Sequence, residues 1–351
     1  MKTALITGVT GQDGSYLAEF LLEKQGYRNV IGLTRRKAQP SDRNLKRLIP
    51  HPSAILVEGN LEDGVFLSQL FSTYKIDECY NLAAQSFVAY SFKNPVGTLM
   101  ANTLGTMNLL EAIRHHSPGT RYYQASTSEM YGGFQDTPMS EKHDFHPRSP
   151  YGTSKLAAYW HTVNMREAFG LFACNGILFN HESPRRGEDF VTQKIVRGAV
   201  AYKRWKEDGE KGESPVLKLG NLEAKRDWGD ARDFVRGMWL ALLQEEPGDY
   251  VLATGKARSV REFVEIAFRH PQIAAKIYWE GKGQDEIGRD EKGRKVLEVD
   301  PQFYRPSEVN VLLGDWTLAR EKLGWSPEIS FDNTVNDMVH SALDRATRES
   351  I

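Results

Sequence analysis

A chain of 351 residues is long for one hydrophobic core and predicts two lobes. Its 40% hydrophobic and 26% charged residues are ordinary for a globular protein, and a formal net charge of −1 provides no footprint for nucleic acid or an anionic membrane. No run reaches the roughly 20 apolar residues of a membrane span, the opening MKTALITG reads as a strand and not a cleavable leader, and two cysteines, Cys79 and Cys174, exclude a disulfide framework and point to a reducing cytoplasm.

In chain order, apolar runs alternate with helical patterns. Residues 4–7 read as a strand and 15–24 as a helix whose apolar side carries Leu17, Phe20, Leu21 and Leu22. Strands follow at 30–33 and 54–57, a helix at 65–74, a strand at 78–82 and a long helix at 96–115. A strand at 121–125, a helix at 154–169 and a strand at 173–178 complete the first half. Strands separated by helices predict an α/β fold, a doubly wound parallel sheet of Rossmann type. After Phe179 the regularity changes. The charge run 204–214 reads as a solvated loop and 280–295 as an exposed excursion. Between them, 231–243 reads as a helix and 249–255 as one more strand of the sheet. The predicted division is therefore interleaved: residues 1–179 and 229–256 form the sheet domain, and 180–228 and 257–351 a smaller, C-terminal lobe.

Gly8, Gly11 and Gly14 lie between the first strand and the first helix. Glycines there permit a tight turn and let backbone amides approach a pyrophosphate at the positive end of a helix. The spacing is GxxGxxG, a variant of the dinucleotide fingerprint. The second strand ends in Thr34-Arg35-Arg36-Lys37, where NAD-binding domains place an acidic residue for the ribose. Guanidinium groups suit a 2′-phosphate, so the pattern favours NADP over NAD; the bland reading is a solvated basic loop.

The run Ala125-Ser-Thr-Ser-Glu129 closes a strand, and Tyr151-Gly-Thr-Ser-Lys155 opens a helix. Reacting groups in open α/β sheets sit beyond the carboxyl ends of strands, which places Thr127 and Glu129 in the crevice. The i,i+4 spacing puts Tyr151 and Lys155 on one helix face. A nearby cation lowers a phenol pKa from its usual value of about 10, making Tyr151 a candidate base. An added carboxylate at Glu129 extends that chemistry from redox to the removal of a carbon-bound proton.

Further on, FNHESPRRG (179–187), with Val191 and Lys194 behind it, LGN (219–221), AKRDW (224–228) and RPSE (305–308) carry separated arginines that suit a second pyrophosphate. The alternative is internal pairing, Arg226 with Asp227 and Arg305 with Glu308. Among the histidines only His181 falls in such a motif; His115, His116, His143, His146 and His161 read as structural. No metal site is expected.

These motifs, together with NLAAQS (81–86), resemble the extended short-chain dehydrogenase/reductases and, within them, the sugar-nucleotide dehydratases that act on GDP-mannose. The resemblance runs from Lys2 to about Asp337. It implies a lyase that converts GDP-mannose to GDP-4-keto-6-deoxymannose plus water: oxidation at C4, elimination across C5 and C6, and reduction at C6 by the same hydride. Thr127, Glu129, Tyr151 and Lys155 would be catalytic. A tightly bound NADP, regenerated each turnover, would contact Gly8, Thr10, Gly11, Gln12, Asp13, Arg35, Arg36, Asn60, Leu61, Leu82, Ala83, Ala84, Gln85, Ser86, Tyr151, Lys155, His181 and Arg186. The GDP-sugar would contact Ser86, Ser128, Asn180, Val191, Lys194, Leu219, Gly220, Arg226, Arg305 and Glu308. The resemblance departs at Asn60, where the family often has Asp, and at Gly97, where a tyrosine is common. It also implies a homo-oligomer, dimer or tetramer, with the loop 37–44 reaching a neighbouring subunit. Two other readings use the same residues: the same reaction on another GDP-sugar such as a manno-heptose, and a sugar-nucleotide epimerase, in which Glu129 would have no counterpart.

Overall fold

Strand β1 (Thr3–Thr7), helix α1 (Gln12–Glu23), β2 (Asn29–Thr34), β3 (Ala54–Glu58), α2 (Gly64–Thr73) and β4 (Glu78–Asn81) begin the chain. After them come α3 (Val88–Lys93), α4 (Pro95–Leu99), α5 (Gly105–His116), β5 (Arg121–Thr127), α6 (Pro150–Phe169) and β6 (Ala173–Leu178). The structure, a computed structural model, describes residues 1–35, 43–133, 138–304, 309 and 311–348.

These strands, with β10 (Asp249–Leu252) from further along, make one seven-stranded parallel sheet in the order β3-β2-β1-β4-β5-β6-β10. The order reverses between β1 and β4, which opens a crevice at their carboxyl ends. Side-chain alternation sends Leu5, Ile31, Cys79 and Tyr122 to the face covered by α2 and α5, and Ile6, Tyr80 and Tyr123 to the face covered by α1 and by the later helix α8 (Ala231–Ala241). Strands buried on both faces explain why the sequence shows apolar runs there instead of alternation. The Tyr123 hydroxyl lies over Gly176 of the neighbouring strand, so close that a Cβ at Gly176 would fall 1.7 Å from it. That hydroxyl is buried and has no hydrogen-bond partner among the described residues.

The second half adds β7 (Asn180–Glu182), α7 (Val191–Glu207), β8 (Leu217–Leu219), β9 (Lys225–Asp230), α8 (Ala231–Ala241), β10 (Asp249–Leu252), β11 (Ala257–Ser259) and α9 (Val260–Arg269). Then come β12 (Tyr278–Glu280), β13 (Ile287–Arg289), β14 (Lys295–Val299), β15 (Val311–Leu312) and α10 (Phe331–Arg348). Helices α7, α9 and α10 bury Ile195, Val196, Phe263, Val264, Val335 and Met338 against Leu217 and Leu297 in a hydrophobic cluster of their own. Strand β9 pairs with β7, β11 and β15 in a small sheet apart from the seven-stranded one.

Three sequence expectations change. The stretch 280–295 is not an excursion: its residues contribute to β12, β13 and β14, which join β8 in a four-stranded sheet with Gly288 buried against Ile277 and Leu297. Of the charge run 204–214, the first residues continue α7 to Glu207. The long helix predicted at 96–115 is interrupted by a π-helical turn at Met100–Leu104 that separates α4 from α5. The extra residue of such a turn re-aims its side chains, here Asn102 and Thr103 toward α6.

Candidate active site

A cleft of about 1170 Å³ runs along the carboxyl ends of the sheet. Beyond β1 the chain turns through Gly8 at φ +68°, where a Cβ would sit 2.9 Å from the Ala83 backbone. At Gly14 a Cβ would lie 2.4 Å from the Gly8 carbonyl, so the turn packs against the start of α1. Gly11 differs: only the Gly8 carbonyl lies within 4 Å of its added Cβ, and the rest of its surroundings is open cleft. No side chain caps the first turn of α1, and its amides are available to an anion. The Thr7 hydroxyl donates to Asn81 (2.7 Å) and accepts the Leu82 and Ala83 amides (3.0 Å each), fixing the exit of β4 beside this turn.

The catalytic candidates converge. Thr127 ends β5 and its hydroxyl accepts the Glu129 amide at 3.2 Å, which starts a 3₁₀ turn and buries the Glu129 side chain in the cleft wall. Helix α6 begins one residue before Tyr151: Ser149 caps it by accepting the Gly152 amide at 3.0 Å, and Pro150 takes the first helical position. Gly152 lets that turn close on its neighbour, since a Cβ there would meet the Glu129 carbonyl at 2.9 Å. Burial pushes the Tyr151 phenol up to about 12 against the hydrogen bond from Thr127 that favours its phenolate. Burial lowers the Lys155 ammonium to about 8, and its Nζ donates to the Ala125 carbonyl at 2.8 Å.

Behind these groups, Asn102 of the π-turn donates to the Gln85 carbonyl (3.1 Å) and sits 3.0 Å from the Ser154 hydroxyl, while Thr103 donates to the Ser154 carbonyl at 2.9 Å. The loop after β4 and the helix bearing Tyr151 and Lys155 are thus pinned to one turn. Nothing in the helical periodicity announced that turn.

The segment after β6 closes the cleft. His181 Nε2 lies 2.9 Å from Asp13 Oδ2 and its Nδ1 2.8 Å from the Phe179 carbonyl, with the ring stacked on Phe234 at 4.4 Å. The Arg186 guanidinium lies 3.6 Å over the Phe190 ring, with its Nε 3.2 Å from Glu182. Arg185, by contrast, is spent internally, forked onto Glu19 at 2.8 and 2.9 Å. On β9, alternation points Arg226 and Trp228 into the cleft, in line with Ala224 just before the strand, and turns Asp227 away, where it accepts the amides of Thr254, Gly255 and Gly314. Pairing of Arg226 with Asp227 is therefore not what this strand does.

Every described residue among the sequence candidates lines this one cleft, from Gly8, Thr10, Arg35, Asn60 and Leu61 at one end to Asn180, Val191, Lys194, Leu219 and Gly220 at the other. Arg36, Arg305 and Glu308 lie outside the described residues, as does most of the loop 37–44. The sequence reading missed the wall formed by Phe87, Tyr90, Lys93 and Asn94 around α3, and two further aromatic groups that line the cleft, Phe190 packed on Phe87 and Phe303 under the Lys194 ammonium. Helix α3 has six residues, too few to show a period. Among the described residues no group of three His, Cys, Asp or Glu side chains could hold a metal ion.

The model of one protein family, described as GDP-mannose 4,6 dehydratase, matches residues 5–338. The human GDP-mannose 4,6 dehydratase is 48% identical, with the match covering 97% of this chain and 91% of the human one. The Sinorhizobium fredii enzyme of that name is 48% identical over 99% of each chain, and that of Vibrio cholerae 46% over 100% and 96%. Among solved structures, a dTDP-glucose 4,6-dehydratase of Streptomyces venezuelae with NAD bound superposes with a TM-score of 0.81 at 22% identity, covering 99% of this chain and 98% of the other. A UDP-glucose 4-epimerase of Thermotoga maritima reaches 0.77 at 24%, covering 99% of each. At these identities the solved structures describe the fold.

Proposed function

The chain belongs to the GDP-mannose 4,6-dehydratase family, and from that premise we propose how its clustered side chains convert GDP-mannose to GDP-4-keto-6-deoxymannose and water, a hydro-lyase reaction. The observation that carries the assignment is the convergence of Thr127, Glu129, Tyr151 and Lys155 in one cleft with the glycine turn.

The turn at Gly8–Asp13, the loop Leu82–Ser86, Asn60, Leu61, Lys155 and Arg186 hold the dinucleotide, and Arg35 at the end of β2 selects NADP by its 2′-phosphate. When bound, NADP would supply the redox chemistry, as acceptor of the C4 hydride and its donor to C6. Thr127 holds the substrate O4 against Tyr151, whose phenolate takes the O4 proton. A phenol at about 12 is a poor base. The Lys155 ammonium, one helical turn on, would lower it when the site is filled, and the positive charge of a bound oxidised cofactor would add to this, because an adjacent positive charge favours the anion. The C4 ketone acidifies the C5 hydrogen. Glu129, two residues from Thr127, removes that proton and delivers it to the departing O6 as water forms. Once the hydride reaches C6, the proton that Tyr151 took from O4 goes to C5 and the phenolate is restored. Asn180, Lys194, Leu219, Gly220 and Arg226 hold the GDP end, where a guanidinium pairs with phosphate oxygens.

The protein acts as a homo-oligomer in the cytoplasm, in keeping with the free buried thiols Cys79 and Cys174 and with Val96, Leu99, Met100 and Trp160 exposed on neighbouring elements. Incubation with GDP-mannose and no added cofactor, read by mass spectrometry, is expected to show loss of one water. Product from a different GDP-sugar only would overturn the substrate. No product from any sugar nucleotide, with NADP added, would overturn the enzyme.

A further inference from the structure

A carboxylate stands where a pyrophosphate is expected. Asp13 lies in the first turn of α1, two residues beyond Gly11, and lines the cleft. It accepts a hydrogen bond from the Gln12 side-chain amide at 3.0 Å, and the helix dipole favours its ionised form. Left alone, that negative charge would repel the diphosphate the turn is built to bind.

His181 supplies the remedy, and hydrogen-bond inventory fixes its state. The Phe179 carbonyl can only accept, so Nδ1 carries a proton. An ionised Asp13 can only accept, so Nε2 carries one as well. A ring donating from both nitrogens is an imidazolium. We propose that His181 is a positioning residue which stands as a cation beneath the glycine turn, neutralises Asp13 and leaves the amides of α1 free for the dinucleotide's pyrophosphate. This rests on the dinucleotide reading of the cleft.

The surroundings agree. Burial alone would push His181 down, but the charge and hydrogen bond of Asp13 reverse this and hold it above the ordinary imidazole range. Burial would push Asp13 up, and His181 instead holds it below the usual carboxylate range. The other charges near the pair are Glu182 on the histidine's own strand and Arg186 just beyond, which lie 3.2 Å from each other, and Lys155 of α6, whose ammonium the Asp13 carboxylate favours. Helix α8 stacks the apolar face of Phe234 on the His181 ring. The ring also ties the phosphate turn to β7 across 168 residues of sequence, a link reinforced by Gln12 donating to the His181 carbonyl at 3.0 Å and by Ser183 donating to Gln12 at 2.7 Å.

The test is NADP+ affinity of the full chain, stripped of cofactor and titrated by calorimetry. His181→Gln keeps a donor and loses the charge. It is expected to raise Kd about tenfold or more, and Asp13→Asn placed in the same chain is expected to recover most of that loss. A merely structural role would make the double variant worse, not better. Wild-type affinity should fall as pH rises through the raised His181 value, and this part of the dependence should be lost in the double variant, leaving only the fall near pH 8 that belongs to the Lys155 ammonium. NMR of isotope-labelled histidine should show both ring nitrogens protonated at neutral pH. A His181→Gln Kd within twofold of wild type, a double variant without recovery, or a singly protonated ring would each overturn the proposal. Absence of dinucleotide binding by the wild type would instead remove the reading of the cleft on which it rests.

Discussion

At the scale of single residues, the cleft pairs groups whose ligand-free states are set against their roles. Lys155 is 3% exposed and its ammonium is brought down to about 8, whereas an unfolded lysine titrates near 10.4. A folded pKa below the unfolded one means that the unfolded chain binds more protons between the two values. Stability of the ligand-free protein should therefore rise with pH across that window and fall as pH drops toward 8. Lys155→Met removes the buried cation at the expense of one hydrogen bond to Ala125. It should raise ligand-free stability at neutral pH by about 1–2 kcal/mol while abolishing turnover, as a thermal melt and an activity assay would report. Glu129→Gln separates the two halves of the chemistry. Product should fall about a hundredfold or more, yet mixing with GDP-mannose should still build up the absorbance of reduced nicotinamide. Normal product formation would put the C5 proton on another group, and loss of the absorbance would place Glu129 in the oxidation step too.

At the scale of elements, α6 shows how a cap becomes part of a site. Ser149 satisfies the Gly152 amide and thereby fixes the backbone on which Tyr151 stands. Ser149→Ala should cost about 1 kcal/mol of stability and lower kcat several-fold with little change in KM. Stopped-flow oxidation together with a denaturant melt would expose a mismatch between the two effects. The same helix was legible in the sequence because YGTSK combines a function with a helix start. The glycine turn was legible for a similar reason: Gly8 and Gly14 are required by backbone approaches of 2.9 and 2.4 Å. Strands β12 and β13 were not legible. Each has three residues, their sequences YWE and IGR mix polar and apolar, and they form only because β14 and β8 lie alongside. The π-turn escaped as well, since Met100–Leu104 has unremarkable helical composition and its bend is set by tertiary contacts of Asn102 and Thr103. Arg226 could be read as a ligand or as half of an ion pair until alternation along β9 separated it from Asp227.

At the scale of the whole molecule, residues from nearly the full length of the chain meet at one rim of the sheet, whereas the exposed apolar side chains Val96, Leu99, Met100 and Trp160 sit on α4, the π-turn and α6. Sedimentation equilibrium at micromolar concentration should find a dimer or tetramer, and Trp160→Glu should shift it toward monomer. A wild-type monomer would remove the oligomer. Deep in the sheet, Tyr123 over Gly176 joins two strands into a single unit of descent. No side chain can enter at Gly176 before Tyr123 has given way to something much smaller, so of the two mutational routes between such sequences only one passes through folded intermediates. Its first step is loss of the hydroxyl alone, Tyr123→Phe, which discards a buried polar atom that nothing described satisfies; any further trimming opens a cavity in the core until a side chain at position 176 fills it, and drift through this part of the sheet has a direction.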